Sequence, residues 1–299
     1  MKKFLINCGI FFGLAGTLLL VPTLIFFFRL RSISFKIPDD KTIVFCGDSH
    51  FTTGINPEII PNSYNFSEHG DHYINQYLRL KKLLAENPQI KTVFVTCWPS
   101  SLAPTGDSRF FNNYGMQTRF VYNFPLYSSK EWALQLTHSP IRVFKFMFEK
   151  PRNILGKAIK SDEFLLSRLG RDESTKNNTV RGLHKKTIEE IKAKMEREHS
   201  ISSNSLQLEY LHKIVELVKK HNAKIIFINT PIRNAEIFYD IDFFEKLRSR
   251  EFSNVEYWNY QEFPIPDDNC WRDFNHLNQW GAEIFSRELA RRIEAEGLN

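Results

Sequence analysis

Hydrophobic positions fall into three kinds of run along the chain. The first is unbroken: Phe4 to Phe28 carries no charged residue, with Lys2 and Lys3 before it and Arg29 and Arg31 after it. About 20 apolar residues cross the hydrocarbon core of a bilayer as a helix. A cleavable signal peptide has a shorter apolar region, about 7–15 residues, ahead of a small-residue cleavage site. This run is longer and ends in Ile25-Phe26-Phe27-Phe28. It predicts an uncleaved membrane anchor over residues 1–31. Basic residues flank both ends, so charge alone does not orient it.

The second kind is short and continuous. Lys41–Cys46, Lys91–Cys97, Lys224–Asn229 and Val255–Tyr260 read as buried strands, with Tyr64–Phe66 as a weaker one. The third kind has helical spacing. From Asp71 to Glu86 the residues Ile74, Tyr77, Leu78, Leu80, Leu83 and Leu84 form one apolar face, and Asn87-Pro88 ends it. Further helices are expected over Leu206–Lys220, Ala235–Ser249 and Asn278–Glu294. Strands alternating with helices predict an α/β fold, a central parallel sheet covered on both faces.

Residues 32–299 then form one domain interrupted at about 100–205. A connection that long is not a simple loop. Its early part is aromatic (Phe110, Phe111, Tyr114, Phe120, Tyr122, Phe124, Tyr127, Trp132), and Lys185 to Glu198 is highly charged. It is expected to be a largely helical insertion that caps one end of the sheet. The 27 phenylalanines leave ample material for a core.

Composition narrows the partners. A formal charge of +6 suits an anionic membrane surface or an anionic polymer, although a generic solvated surface accounts for most of it. Zinc-finger spacing, RNA-binding aromatics and a dense basic helix are all missing, so nucleic acid is not an expected partner. Cys8 falls in the apolar run, leaving Cys46, Cys97 and Cys270, an odd number that describes no disulfide framework. Cys46 and Cys97 are expected as small buried residues at neighbouring strand ends. No two-plus-two ligand spacing suggests a metal, and no Walker lysine or dinucleotide glycine pattern suggests a cofactor.

Ligands of a parallel sheet bind beyond the carboxyl ends of its strands. Three polar segments sit at such ends: Gly47-Asp48-Ser49-His50, Ser67-Glu68-His69-Gly70, and the stretch holding Asp273 and His276. A serine just after a strand-to-helix turn exposes its hydroxyl and can aim its own amide at an oxyanion. An aspartate three residues before a histidine can hold one ring nitrogen while the other faces the serine. Singly each is weak, since Gly-Asp-Ser arises by chance and Asp273 and His276 could cap the next helix.

Together and in this order these segments resemble the SGNH/GDSL hydrolase superfamily. Gly47-Asp48-Ser49 matches its first block, with Ser49 as nucleophile. Asn65 to Asp71 resembles the second, in which Gly70 joins Ser49 in the oxyanion hole. Asp273-Phe274-Asn275-His276 matches the last, and Leu277-Asn278-Gln279-Trp280-Gly281-Ala282 is similar to the start of the family's closing helix. The resemblance covers about residues 41–99 and 206–293 and implies a three-layer sandwich and a Ser49–His276–Asp273 triad, with no cofactor and no metal. The third block departs from the pattern: Thr96-Cys97-Trp98-Pro99-Ser100-Ser101 holds no asparagine, so a Ser100 or Ser101 hydroxyl or an insertion residue would have to replace that donor.

Membrane-anchored relatives of this layout imply O-acyl transfer or ester hydrolysis on a cell-envelope glycan outside the cytoplasm. The implied partners are the membrane, an acyl donor, a hydroxyl-bearing polymer acceptor and a multispanning membrane acyltransferase. The alternative is an inactive relative that binds glycan or assists assembly. His50 is expected either to line the pocket or to meet solvent, and Arg233 to make a surface ion pair. Exposed aromatics near Tyr114, Phe120 and Tyr122 are expected to set acceptor specificity, with Phe144 and Phe148 buried in the insertion's own core.

Overall fold

Five short strands take up the continuous apolar runs, and helices take up the periodic ones. The computed structural model describes residues 1–102, 107, 110–112, 115–169, 205–233, 241–266, 268–273 and 275–298. The charged tract 185–198, Tyr114, Phe274 and the first residues of the helix expected at 235–249 lie outside them. The main elements through the insertion are α1 (Lys2–Ser32), β1 (Ile43–Cys46), α2 (Ser49–Gly54), β2 (Ser63–Asn65), α3 (Tyr73–Glu86), β3 (Thr92–Thr96), α4 (Ser129–His138), α5 (Pro140–Lys160) and α6 (Asp162–Ser167). After it come α7 (Leu206–Lys220), β4 (Lys224–Asn229), α8 (Ile241–Glu251), β5 (Glu256–Asn259) and α9 (Gln279–Ala295). The chain divides into two compact units. One is Met1–Ser34 with Phe111–Arg168, and the other is Phe35–Phe110 with Leu169–Asn299.

The sheet unit holds all five strands, parallel, in the order β2-β1-β3-β4-β5. From β1 the chain goes outward to β2, then returns to place β3 on the other side of β1. That reversal opens a crevice at the carboxyl ends of β1 and β3, the usual ligand position in an open α/β sheet. Phe45 pairs with Phe94 in register and their rings stack at 4.9 Å, with Trp258 5.2 Å from Phe94. These residues pack with Phe51 of α2 and with Phe285, Leu289 and Ile293 of α9. The alternate residues Val44, Val93, Val95 and Phe227 are equally buried, and α3 and α7 pack together beside β4. Both faces are therefore covered, which is why the strand sequences are continuous rather than alternating. The α/β expectation holds. α3 starts at Tyr73 rather than Asp71, because Asp71 is turned into a buried ion pair with Arg79.

The helical unit has a different core. In α1 the residues Thr23, Phe26 and Leu30 are buried, spaced three and four apart on one face, while Phe4 to Leu20 is mostly exposed. That face meets α5: the Thr23 hydroxyl donates to the Met147 carbonyl at 3.1 Å, and Arg29 pairs with Asp162. Phe26 stacks on Phe124 at 6.4 Å, and Phe120, Phe124, Tyr127 and Trp132 form an aromatic cluster. Ser128 and Glu131 close a capping box that starts α4. The described part of the insertion is largely helical, as expected, but three of its aromatics depart from expectation. Phe120, expected at the surface, is buried in the aromatic cluster, whereas Phe144, expected in the core, is 55% exposed and Phe148 is half-buried. The reason is that α5 turns Val143 and Phe146 inward, and Phe144 falls outside that face.

Candidate active site

The first site element is the turn from β1 into α2. A Cβ on Gly47 would lie 2.6 Å from Thr96 Cγ2 and 2.8 Å from the Phe51 ring, so the backbone there has room only for glycine. Asp48 then caps α2, its Oδ1 accepting from the His50 amide at 3.0 Å. Its second oxygen accepts from Trp98 Nε1 at 2.9 Å. Burial raises the Asp48 carboxyl above its usual value, against the hydrogen bonds from Trp98 and the His50 amide. With both neighbours fixed, Ser49 is held as the first residue of α2.

The second element is a clamped loop between β5 and α9. Trp271 and Leu277 form an antiparallel bridge, and the Arg272 amide donates to the His276 carbonyl at 2.9 Å. Asn278 caps α9 by accepting from the amides of Trp280 (3.0 Å) and Gly281 (3.2 Å). Gly281 is confined too, because a Cβ there would lie 2.3 Å from the Cys270 carbonyl. Capping of the last helix thus falls to Asn278, which frees Asp273 and His276 to face each other.

Asp273 Oδ1 accepts from the amides of Asn275 (3.1 Å) and His276 (2.9 Å). His276 Nδ1 lies 2.9 Å from Oδ1 and 3.0 Å from Oδ2 of the same carboxylate. A carboxylate only accepts, so Nδ1 carries the proton and Nε2 is left as the acceptor. Nε2 lies 2.8 Å from Ser49 Oγ. Burial works against ionising Asp273, but the hydrogen bond and charge of His276, helped by the two amides, outweigh it and hold the carboxyl below its usual value. The structure therefore brings together three of the residues singled out from sequence.

Gly70 sits in a turn at φ +62°, a conformation glycine adopts without strain. The next residue, Asp71, pairs with Arg79 in full burial, and Arg79 also bonds the Leu169 carbonyl and lies over the Phe66 ring at 5.3 Å. These contacts fix the loop after β2. Among the described residues, the amides of Ser49 and Gly70 donate to no other group.

At the end of β3, Trp98 lies within the stretch Thr96–Ser101, which holds no asparagine. Its indole N–H is committed to Asp48. The Ser101 hydroxyl is committed as well: it donates to the Trp98 carbonyl at 2.6 Å and accepts from Tyr73 Oη at 2.9 Å. The Ser100 side chain lies outside the described residues. His50 is buried at 3% exposure, not turned to solvent. Its ring lies 4.2 Å from that of Trp98 and 4.9 Å from that of His276, with Nδ1 3.1 Å from Thr230 Oγ1 at the end of β4. Burial first, and then the neighbouring His276, push the His50 imidazole well below its usual value. Trp98 and Thr230 were not singled out from sequence. The one signal available was their position at the carboxyl ends of β3 and β4.

The remaining candidates have structural uses. Arg233 pairs with Asp268 at 2.9 Å at the surface. Cys46 and Cys97 are free, buried thiols, each pushed up to about 12, mainly by burial. Cys270 is also buried, and no cluster of metal-ligating side chains occurs among the described residues.

Comparison with known proteins gives three results. A protein-family model matches residues 161–297, a stretch that includes Asp273 and His276 but not Ser49. A search of curated proteins finds no match. Among solved structures, the chain is similar to a protein assigned as an acylhydrolase from Bacteroides fragilis, at 9% identity and a TM-score of 0.41, covering 90% of this chain and 93% of that one. It is also similar to a GDSL-like lipase from Bacteroides thetaiotaomicron, at 10% identity and a TM-score of 0.41, covering 89% and 94%.

Proposed function

We propose that the chain is a membrane-anchored serine esterase or acyltransferase of the SGNH/GDSL type, with Ser49 as nucleophile, His276 as general base and Asp273 as its orienting carboxylate. One observation carries the reading: an unbroken hydrogen-bonded line from Ser49 Oγ to His276 Nε2 (2.8 Å) and from Nδ1 to Asp273 (2.9 Å), joining residues 227 positions apart. Ser49 Oγ attacks an ester or thioester carbonyl as Nε2 takes its proton. Asp273 stabilises the imidazolium that results. The amides of Ser49 and Gly70 donate to the oxyanion; as it collapses, the bond to the alcohol or thiol breaks, His276 gives that leaving group the proton, and an acyl-serine remains. A hydroxyl or water, deprotonated in turn by His276, takes the acyl group.

The finer reading is O-acyl transfer to a hydroxyl-bearing envelope glycan outside the cytoplasm, with the acyl group supplied by a multispanning membrane partner. What supports it is the layout, since α1 is long and apolar enough to cross a membrane. One observation favours a second reading, an inactive glycan-binding relative: in the third block the Trp98 indole N–H and the Ser101 hydroxyl are both committed to other groups. One missing oxyanion donor costs about 10²–10³ in rate. A fluorophosphonate probe separates the two. Labelling at Ser49, abolished by His276→Ala, supports the esterase. A folded chain that takes no label supports the binding protein and overturns the triad.

A further inference from the structure

Helix α5 has more apolar face than its own unit covers. Val143, Phe146 and Ala158 are buried, and Met147 meets Thr23 of α1. Beside that covered side, Ile141 is 83% exposed, Phe144 55% and Ile159 52%, with Phe148 half-buried between them. At 100° per residue these four positions fall within one narrow strip along the helix. The strip is continuous with α1, because Leu19 shares a surface groove with Phe144, Lys145, Phe148, Glu149 and Asn153. Leu19 itself belongs to the exposed apolar surface of the candidate span.

We infer that α5 is an interfacial helix, lying in the headgroup layer of an anionic membrane with its Ile141–Phe144–Phe148–Ile159 strip toward the acyl chains. This rests on the reading of α1 as a membrane anchor. Two further observations fit the lipid surface as occupant. The first is charge: α5 contains Arg142, Lys145, Lys150, Arg152, Lys157 and Lys160 against the single acid Glu149. Basic residues beside an apolar strip are the composition that anionic headgroups attract. The second is depth. The Thr23–Met147 contact lies six residues before Arg29, where the uncharged run of α1 ends. At 1.5 Å per residue that is about 9 Å inside the boundary, close to the roughly 5–10 Å at which an amphipathic helix rests.

The test uses the full-length chain carrying Cys8→Ser, reconstituted in vesicles of phosphatidylcholine with phosphatidylglycerol. Single nitroxide labels are placed through Phe12→Cys, Phe144→Cys or Glu149→Cys, and each label's collision rates with oxygen and with a water-soluble nickel chelate are compared. The expected oxygen-to-nickel ratio at position 144 is several-fold above that at 149, and it falls in vesicles of phosphatidylcholine alone. Equal ratios at 144 and 149 overturn the inference. So does exclusion of both colliders from 144, the result if a second protein copy covers the strip. A ratio insensitive to anionic lipid overturns the headgroup preference. Position 12 reports the anchor separately: an apolar label at 12 with an aqueous one at 144 defeats only α5, whereas aqueous labels at both defeat the anchor as well.

Discussion

In the sheet unit apolar side chains close on one another, whereas in the helical unit many remain uncovered. Ile43, Phe45, Phe94, Ile226 and Trp258 are shielded by α2 and α9 to the point of zero exposure. By contrast Phe4, Phe11, Phe12, Leu18 and Phe144 all show half or more of their surface. The two units use the same residue types, phenylalanine above all, for opposite ends. A closed core supports a chain in water, and an open apolar surface needs a second apolar medium. The polar residues follow the same division. Buried polar groups of the sheet unit gather into pairs and networks, such as Asp71–Arg79 and Asp48–Trp98, that hold the loops bearing Ser49 and Gly70.

The sharpest way to test this division is to remove the chemistry assigned to the sheet unit. Ser49→Ala is expected to lower turnover of a small aryl ester by about 10³-fold or more with unchanged thermal unfolding. Unchanged kinetics in a folded variant would take Ser49 out of the site. Next comes the same residue type in the two units. Phe94→Ala, cutting a ring at zero exposure, should cost about 3–5 kcal/mol in denaturant unfolding. Phe144→Ser should change stability by no more than about 0.5 kcal/mol, as a surface substitution does. Similar losses for both would erase the contrast. Arg79→Leu belongs with the large effects, since it removes the cationic partner of the buried Asp71 carboxylate, and a loss of about 3–5 kcal/mol is expected by chemical denaturation. A loss under about 1 kcal/mol would mean that Asp71 finds water or another donor.

The sheet was legible in the sequence because strands buried on both faces leave continuous apolar runs, and all five expected strands are present. The meeting of Ser49, Asp273 and His276 could be anticipated because the loop and the turn that carry them are local, each set by a spacing of a few residues. What escaped was what depends on how side chains meet once the elements pack. Asp71 was expected to open α3 and instead reaches Arg79. Trp98 and Thr230 gained their place only when β1, β3 and β4 became neighbours. The exposure of Phe144 followed from which face α5 gives to α1 and the burial of Phe120 from its cluster with Phe124, Tyr127 and Trp132, and local periodicity carries no record of either.

His50 gives the smallest expected effect and the finest test of how closed the sheet unit is. Its ring is confined by Trp98, His276 and Thr230, and the charged form is disfavoured first by burial and then by His276. In the unfolded chain the same imidazole titrates near 6.5. Below that pH the unfolded state takes up a proton that the folded state refuses, so stability must fall as pH drops from 6.5 toward the lower folded value. The slope from this one group is at most about 1.4 kcal/mol per pH unit. His50→Gln removes the titration and keeps a polar side chain. The variant's stability is therefore expected to decline less steeply than wild type between about pH 6.5 and 5, in denaturant titrations of the detergent-solubilised chain. Parallel slopes would mean that the cluster opens enough to admit the proton. The consequence reaches the chemistry, because a neutral His50 adds no positive charge beside His276. A protonated one, with ring centres 4.9 Å apart, would oppose the imidazolium proposed to form as Ser49 gives up its proton.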